Sequence, residues 1–474
     1  MISLLTGLLG LLLFALLFRR NRVAFVAGFF ILFSLGYRVI DVIYVDLFGP
    51  IYAVELDRYV GGNLATPMFV LSCLAFLLPL WIAYRPSAIE RKLGTGPIPR
   101  LPYFTSLRRW AFILIAGFIG IVYLDMLRKG TIPLLVGMDR LQYNLMAGVL
   151  HNPLYSLSFM LAMALGMFTV LPRLQGGRFD LRFAMLFLVM LVYWILTGNR
   201  FSIFYRDTCF FVLPFAAVFA MERYSRLPKI DRRDAWSALL SFRVIVPIVI
   251  ILSAITLVGL LINSYYDVRG YADPVYMIAQ RTFVQPIQLW DATWSTLDFD
   301  QVFTFNSNVS DFLFYNPIEA GSNTSIQYLM VKELGFFRVE HLLNFGQQYA
   351  GGYPEILFEL FGAWLAIPIM FVIGSLTAWL LRLAMLAMSQ GKLLTSFMAV
   401  YVYYGFTLIY IGGMLNFLFA LSFLLKILLL IFAAAFEGKL LQRLGGGSGR
   451  PAVDAAPVRR GFALPRSHAP ETTP

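Results

Sequence analysis

The feature that most constrains this chain is a succession of apolar runs, each long enough to cross a bilayer. A membrane-spanning helix needs about 17–25 predominantly apolar residues, because lipid offers no partner for an open backbone. On that criterion the sequence predicts about eleven spans, near residues 3–18, 23–43, 66–84, 109–125, 153–172, 183–197, 203–221, 244–262, 355–380, 394–412 and 416–435. With 59% hydrophobic and 14% charged residues over 474 positions, a soluble globular domain is excluded. The expected fold class is all-α: a polytopic membrane protein inside a lipid bilayer. The opening stretch "MISLLTGLLGLLLFALLFRRNR" carries its basic cluster after the apolar run and shows no small-residue cleavage site. It therefore reads as a retained first helix.

Charge gives the expected parity. Between the third and fourth spans, Arg85, Arg91, Lys92, Arg100, Arg108 and Arg109 face only Glu90. Arg19, Arg20 and Arg22 follow the first span, Arg173, Arg178 and Arg182 the fifth, and a further net-basic segment the seventh. Eleven spans put all of these on one side, which the positive-inside rule makes cytoplasmic. The formal charge of +12 is then loop charge and not a nucleic-acid footprint. The N-terminus is expected outside and the C-terminus inside. The expected organisation is a membrane domain over 1–262, a large extracytoplasmic segment over 263–354, a second membrane part over 355–436 and a disordered tail over 437–474. The segment 263–354 carries four basic residues against nine acidic ones, the opposite bias. Cys73 and Cys209 both fall in apolar runs and read as buried thiols.

Arginines on a net-acidic outer face are not explained by the positive-inside bias. Arg140 follows a Gly/Pro turn in "RKGTIPLLVGMDRLQYN". Arg200 closes the turn Gly198-Asn199-Arg200, where it either snorkels to the interface or completes a compact anion site with backbone N–H groups. Arg269 and Arg281 lie in "YYDVRGYADPVYMIAQRTFVQPIQLWDATW", and Arg338 and His341 in "KELGFFRVEHLLNFGQQYAGGYPE". From Pro274 onward, helical spacing puts Arg281, Gln285, Gln288 and Asp291 on one polar face. Phe283, Ile287, Trp290 and Trp294 form the opposite face, with a bend at Pro286. Such a strip could hold phosphate and sugar hydroxyls, or Arg281 could simply pair with an acidic neighbour. No Walker A, CxxC, HExxH or GxSxG motif occurs, and His151 and His341 are too far apart for a metal site by spacing.

The stretch "NFGQQYAGGYPEILFELFGAW", residues 344–364, places Glu355 and Glu359 one turn apart where the chain enters an apolar run. Gly351 and Gly352 allow a tight turn, and Pro354 suits a helix start. Partial desolvation and mutual repulsion would raise one carboxyl's proton affinity, as a general base requires. Otherwise Glu355 merely favours the positive end of its helix and Glu359 pairs with an arginine.

These residues carry a resemblance. "GTIPLL…DR", "TGNRFSIF", the late outer segment rich in Arg, Gln and Tyr, and "FGQQYAGGYPEILFELFG" make the chain similar, over most of 110–380, to the Wzy-type polymerases of O-antigen and related oligosaccharide repeat units. The family's arginine with a glycine eleven positions later is not found at Arg140, Arg269, Arg281 or Arg338 and is not carried over. The resemblance implies a membrane glycosyltransferase of GT-C-like architecture in the bacterial inner membrane. It would transfer a growing glycan between undecaprenyl-diphosphate-linked donor and acceptor on the periplasmic face, with a chain-length regulator as partner. Glu355, His341 and Glu359 become the candidates for proton handling. Arg140, Arg200, Arg269, Arg281, Gln285, Gln288, Arg338, Gln347, Gln348 and Tyr353 become the candidates for substrate binding. Arginines can neutralise a diphosphate leaving group, so neither a metal nor a cofactor is expected. An O-antigen ligase, which relies on an outer-loop histidine such as His341, is the nearest alternative. A lipid-linked oligosaccharide flippase is a further one; it would need charged residues at membrane depth and broken helices.

Overall fold

The computed structural model describes residues 1–19, 21–93, 98, 102–129, 132–133, 143–144, 146–198, 201–224, 227, 274–297, 299, 325–344, 349 and 351–446. Among them, eight helices are long and apolar enough to cross a membrane: Ile2–Arg19, Thr66–Ala83, Tyr103–Arg128, His151–Leu174, Ser202–Arg223, Glu355–Ser389, Leu393–Tyr410 and Leu421–Leu440. The protein is a helical membrane protein, and each of the eight coincides with an expected span. The ninth and tenth matches differ from expectation. Span 23–43 is two helices, Arg22–Ala27 and Phe29–Phe48, separated at Gly28. Span 183–197 is the sixteen-residue helix Leu181–Leu196. The expected span 244–262 lies outside the described residues, as do residues 447–474 of the expected disordered tail; residues 437–446 of that tail are instead the end of the helix Leu421–Gly446.

In chain order the first helices are α1 (Ile2–Arg19), α2 (Arg22–Ala27), α3 (Phe29–Phe48), α4 (Thr66–Ala83), α5 (Pro86–Glu90) and α6 (Pro102–Arg128). They are followed by α7 (His151–Leu174), α8 (Leu181–Leu196), α9 (Phe201–Val212) and α10 (Phe215–Arg223). After the central gap come α11 (Pro274–Ala279), a π-helical turn over Gln280–Val284, α12 (Gln288–Ser295), α13 (Ser325–Leu334) and α14 (Phe336–Asn344). The last three are α15 (Glu355–Ser389), α16 (Leu393–Gly412) and α17 (Leu421–Gly446). Between α3 and α4, strands β1 (Ile51–Ala53) and β2 (Arg58–Val60) pair antiparallel with Tyr52 opposite Tyr59. This short hairpin was not expected, but two strands of three residues leave the fold class all-α.

Several helix ends are capped by residues far away in sequence, which fixes the packing. Asn21 accepts a hydrogen bond from the Ala24 N–H at 3.2 Å at the start of α2, and its amide donates to the Tyr84 carbonyl at 2.6 Å. Asp46 of α3 accepts from the Thr66 N–H at 2.9 Å at the start of α4. Glu437 of α17 accepts from the N–H groups of Leu394 and Thr395, at 3.0 and 2.8 Å, at the start of α16. Each satisfies donors that a helix terminus leaves open, which lipid could not do. At the centre, α15 packs along both α4 and α16. Cys73 and Cys209 are buried free thiols, as expected.

Contacts among the connecting segments fall at two ends of the bundle. At one end, here termed the basic end, Arg173 pairs with Glu222 at 2.8 Å, Arg108 with Asp180 at 3.4 Å, and Arg382 donates to the Ala88 carbonyl at 2.7 Å. At the other, the hairpin end, residues 49–65 meet 274–297, 325–344 and Tyr349.

Candidate functional site

The hairpin end is assembled from three segments distant in sequence. Gln280 donates to the Tyr52 carbonyl at 2.7 Å, and Gln288 to Glu55 Oε2 at 2.8 Å. Asn63 donates to Asp291 Oδ1 at 3.2 Å, while the indole N–H of Trp294 donates to the Asn63 carbonyl at 2.8 Å. Arg58 pairs with Glu333 at 2.7 Å. Arg338 reaches Asp57 and the Glu55 carbonyl, at 3.4 and 3.3 Å, and the Tyr349 hydroxyl donates to that same carbonyl at 2.5 Å. Burial pushes the Tyr349 phenol up, with the Glu55 carboxylate adding to it. Burial likewise raises Asp291, against the opposing pull of hydrogen bonds from Gly61 and Asn63.

The polar face expected over Arg281, Gln285, Gln288 and Asp291 therefore has a different destination. The chain bends where Pro286 predicts: α11 runs into the π-helical turn, a turn over 285–287 follows, and α12 begins at Gln288. Gln288 and Asp291 are buried against the hairpin and do not face solvent. Gln288 is thus not a free sugar-binding amide, because the Glu55 carboxylate occupies it. Arg281 and Gln285 remain half-buried.

Beneath this cap lies a buried ion pair that the sequence did not reveal. The guanidinium of Arg38, midway along α3, binds the carboxylate of Glu355 at the first residue of α15. The same guanidinium donates to the Pro286 carbonyl at 3.0 Å and to the Tyr353 carbonyl, and lies 5.2 Å from the centre of the Phe69 ring. Glu355 is 0% and Arg38 6% exposed. One side chain thus ties α3, the Pro286 turn and the entry to α15 together. Gly351 and Gly352, with φ of 116° and 113°, deliver the chain into this position as expected. Tyr353 is fully buried, its hydroxyl donating to the Ser72 carbonyl at 3.1 Å and its ring edge-on to Phe76 and Tyr410. It is a packing residue here, with no free hydroxyl for an acceptor sugar.

Glu355 and Glu359 do not act on each other as a free carboxylate pair. Each has its own cation: Arg38 for Glu355, and Lys332 of α13, at 2.7 Å, for Glu359. The partner of Glu359 is a lysine, where an arginine was expected. Of the two, Glu359 keeps some exposure and Glu355 keeps none. Glu355 as an accessible general base is therefore corrected, since its oxygens are held by Arg38 and closed off from water. Three residues further on from Glu359, Gly362 has φ 72° and ψ 176°, which interrupts α15.

Further charge is buried in the bundle. Asp41 is 0% exposed, and neither carboxyl oxygen has a hydrogen-bond partner among the described residues. Asp207 of α9, also fully buried, accepts from Arg206 at 3.0 Å, Ser158 at 3.0 Å and the Trp194 indole at 3.2 Å. The charged side chains within spans that the transporter alternative requires are thus present among the described residues. His341 is exposed on α14. Arg140, Arg200, Arg269, Gln347 and Gln348 lie outside the described residues.

The fold and this cluster define a helical membrane protein with a polar cap over a buried ion pair. Residues 319–427 match the model of a family of unknown function, DUF6418. That stretch contains Arg338, His341, Tyr353, Glu355 and Glu359 but not Arg38. No curated protein and no solved structure matches the chain.

Proposed function

We propose that the protein is a bacterial inner-membrane glycosyltransferase that polymerises undecaprenyl-diphosphate-linked oligosaccharide repeat units, with its chemistry at the hairpin end. The observation that carries the reading is the cap: hairpin, α11–α12 and α13–α14 interlock at the end of the bundle whose connecting segments are net acidic, and yet they bring arginines there. By the positive-inside rule that end faces the periplasm, and the N-terminus lies there too. Arg281 and Arg338 serve the diphosphate, Gln285 the sugars, and the proton acceptor is the exposed His341 or the lysine-paired Glu359. Arg38 and Glu355 hold the floor of the site in shape. Arg281→Lys should impair polymerisation, because a point charge loses the bidentate fork; full activity in that variant removes Arg281 from the site. A deletion strain that makes lipopolysaccharide capped with single repeats supports polymerisation, whereas one with no repeats at all supports the ligase alternative.

A second reading has its own observations. A broken helix at Gly362 and the buried Arg38, Asp41, Asp207 and Glu355 are features of transporters, whose sites lie at interrupted helices. On that reading the lipid-linked oligosaccharide is moved and not joined.

A further inference from the structure

At the basic end, far from the hairpin, α15, α17 and the turn between α15 and α16 enclose a cavity of about 460 Å³. Its polar wall holds Lys92, Arg382 and Lys392. Its apolar wall holds Trp379, Leu383 and Ala434. Among the described residues no carboxylate lines it. Among the same residues none of the three cations has an ion-pair partner, and Arg382 spends only one N–H, on the Ala88 carbonyl at 2.7 Å. The nearby Glu437 forms no ion pair with them. It lies behind Thr395, and its oxygens accept from the Leu394 N–H and from the N–H and hydroxyl of Thr395, at 2.8–3.0 Å.

Three uncompensated cations from three elements, brought to one concavity, repel one another unless an anion sits between them. The apolar wall says which kind of anion. Trp379 is exposed, and so is Leu376, one turn away on the same face of α15. That is a surface for hydrocarbon, with a tryptophan at the height of the headgroups. A free phosphate would leave it unused.

We propose that this cavity is an anionic phospholipid site, with the lipid phosphate between Lys92, Arg382 and Lys392 and the acyl chains along Trp379 and Leu383. Positive loops in general draw acidic lipids to a membrane face. This site differs in being concave, so it retains one lipid and not a diffuse layer. The inference does not rest on the polymerase reading.

The experiment is native mass spectrometry of the full chain released from nanodiscs containing phosphatidylglycerol or, separately, phosphatidylcholine. The wild type should retain one phosphatidylglycerol and no phosphatidylcholine. Lys92→Gln/Arg382→Gln/Lys392→Gln should weaken retention on the order of a hundredfold, at about fivefold for each cation near a membrane surface. Arg19→Gln/Arg22→Gln, which removes two exposed cations elsewhere near the same end, should leave it unchanged. Because Arg382 also holds Ala88, Lys92→Gln/Lys392→Gln is made as well and should still cost about twenty-five-fold. Equal retention in this double variant overturns the site. So does an equal loss in Arg19→Gln/Arg22→Gln, which would mean diffuse attraction, or displacement of the lipid by millimolar inorganic phosphate, which would mean a free-anion site.

Discussion

Arg38 and Glu355 stand 317 positions apart in the chain, yet they form an ion pair closed off from solvent on every side. The pair is joined by the carbonyls of Pro286 and Tyr353, so a single guanidinium satisfies three segments at once. Two charges sealed in a bundle cost several kcal/mol each to desolvate, and only close mutual geometry offsets that. Its role is to position the entry to α15 beneath the cap.

Removing one partner should therefore be worse than removing both. Arg38→Met or Glu355→Leu alone should destabilise by about 3–5 kcal/mol, leaving an unpaired buried charge, while the double replacement should recover most of that loss. Thermal unfolding in detergent, run as a double-mutant cycle, checks this. Additive losses would mean that the two residues are not coupled.

Glu359→Gln separates stability from chemistry. Its pair with Lys332 is partly exposed, so the fold should lose less than about 1 kcal/mol. If Glu359 accepts the acceptor's proton, polymerisation should fall by roughly 10²–10⁴-fold. Normal activity in this variant, with loss of that size in His341→Ala, assigns the proton to His341.

The interruption at Gly362 should be intolerant of a side chain. Its φ of 72° with ψ of 176° lies in a region that is open essentially to glycine alone. Gly362→Ala should cost about 1–3 kcal/mol. Gly36, in the middle of α3, provides the control, because a methyl group added there would meet nothing within 4 Å. Gly36→Ala should be neutral or stabilise by up to about 1 kcal/mol. Equal effects of the two would mean that α15 runs straight.

Acidification should loosen the contact between α14 and the hairpin. The Tyr52 hydroxyl, and then Arg338, hold the Asp57 carboxyl below the usual carboxylate range. A depressed folded value contributes stability above the unfolded value, near pH 4, and that contribution is lost as pH falls through the folded value. Asp291 works in the opposite sense, because burial raises it and the folded state loses stability as rising pH ionises it. Protection from hydrogen exchange over residues 51–60, relative to the unstructured chain at the same pH, should therefore step down below about pH 4 in the wild type. In Asp57→Asn that step should vanish; a step of the same size there would exclude Asp57 as its source.

How far the sequence spoke for the fold depended on the range of the interaction. Long apolar runs announce helices because the backbone must satisfy itself within each span, so eight spans were legible in position, though not at their ends. The turn at Gly351-Gly352 and the bend at Pro286 were legible for the same local reason. The hairpin was not: strands of three residues leave too few alternations to read, and contacts with α12 and α14 hold it in place. The polar face of Gln288 and Asp291 was visible as a pattern, but periodicity cannot say whether such a face meets water or another segment. Arg38 lies inside an apolar run, but no local pattern names its partner, which only the folded chain brings beside it.

The most direct test is incubation of the purified protein, reconstituted in lipid, with its undecaprenyl-diphosphate-linked repeat unit as the sole substrate, followed by separation of the products by glycan length. The polymerase account predicts a ladder whose spacing is one repeat unit. A repeat unit that is carried across the bilayer with its length unchanged would contradict it.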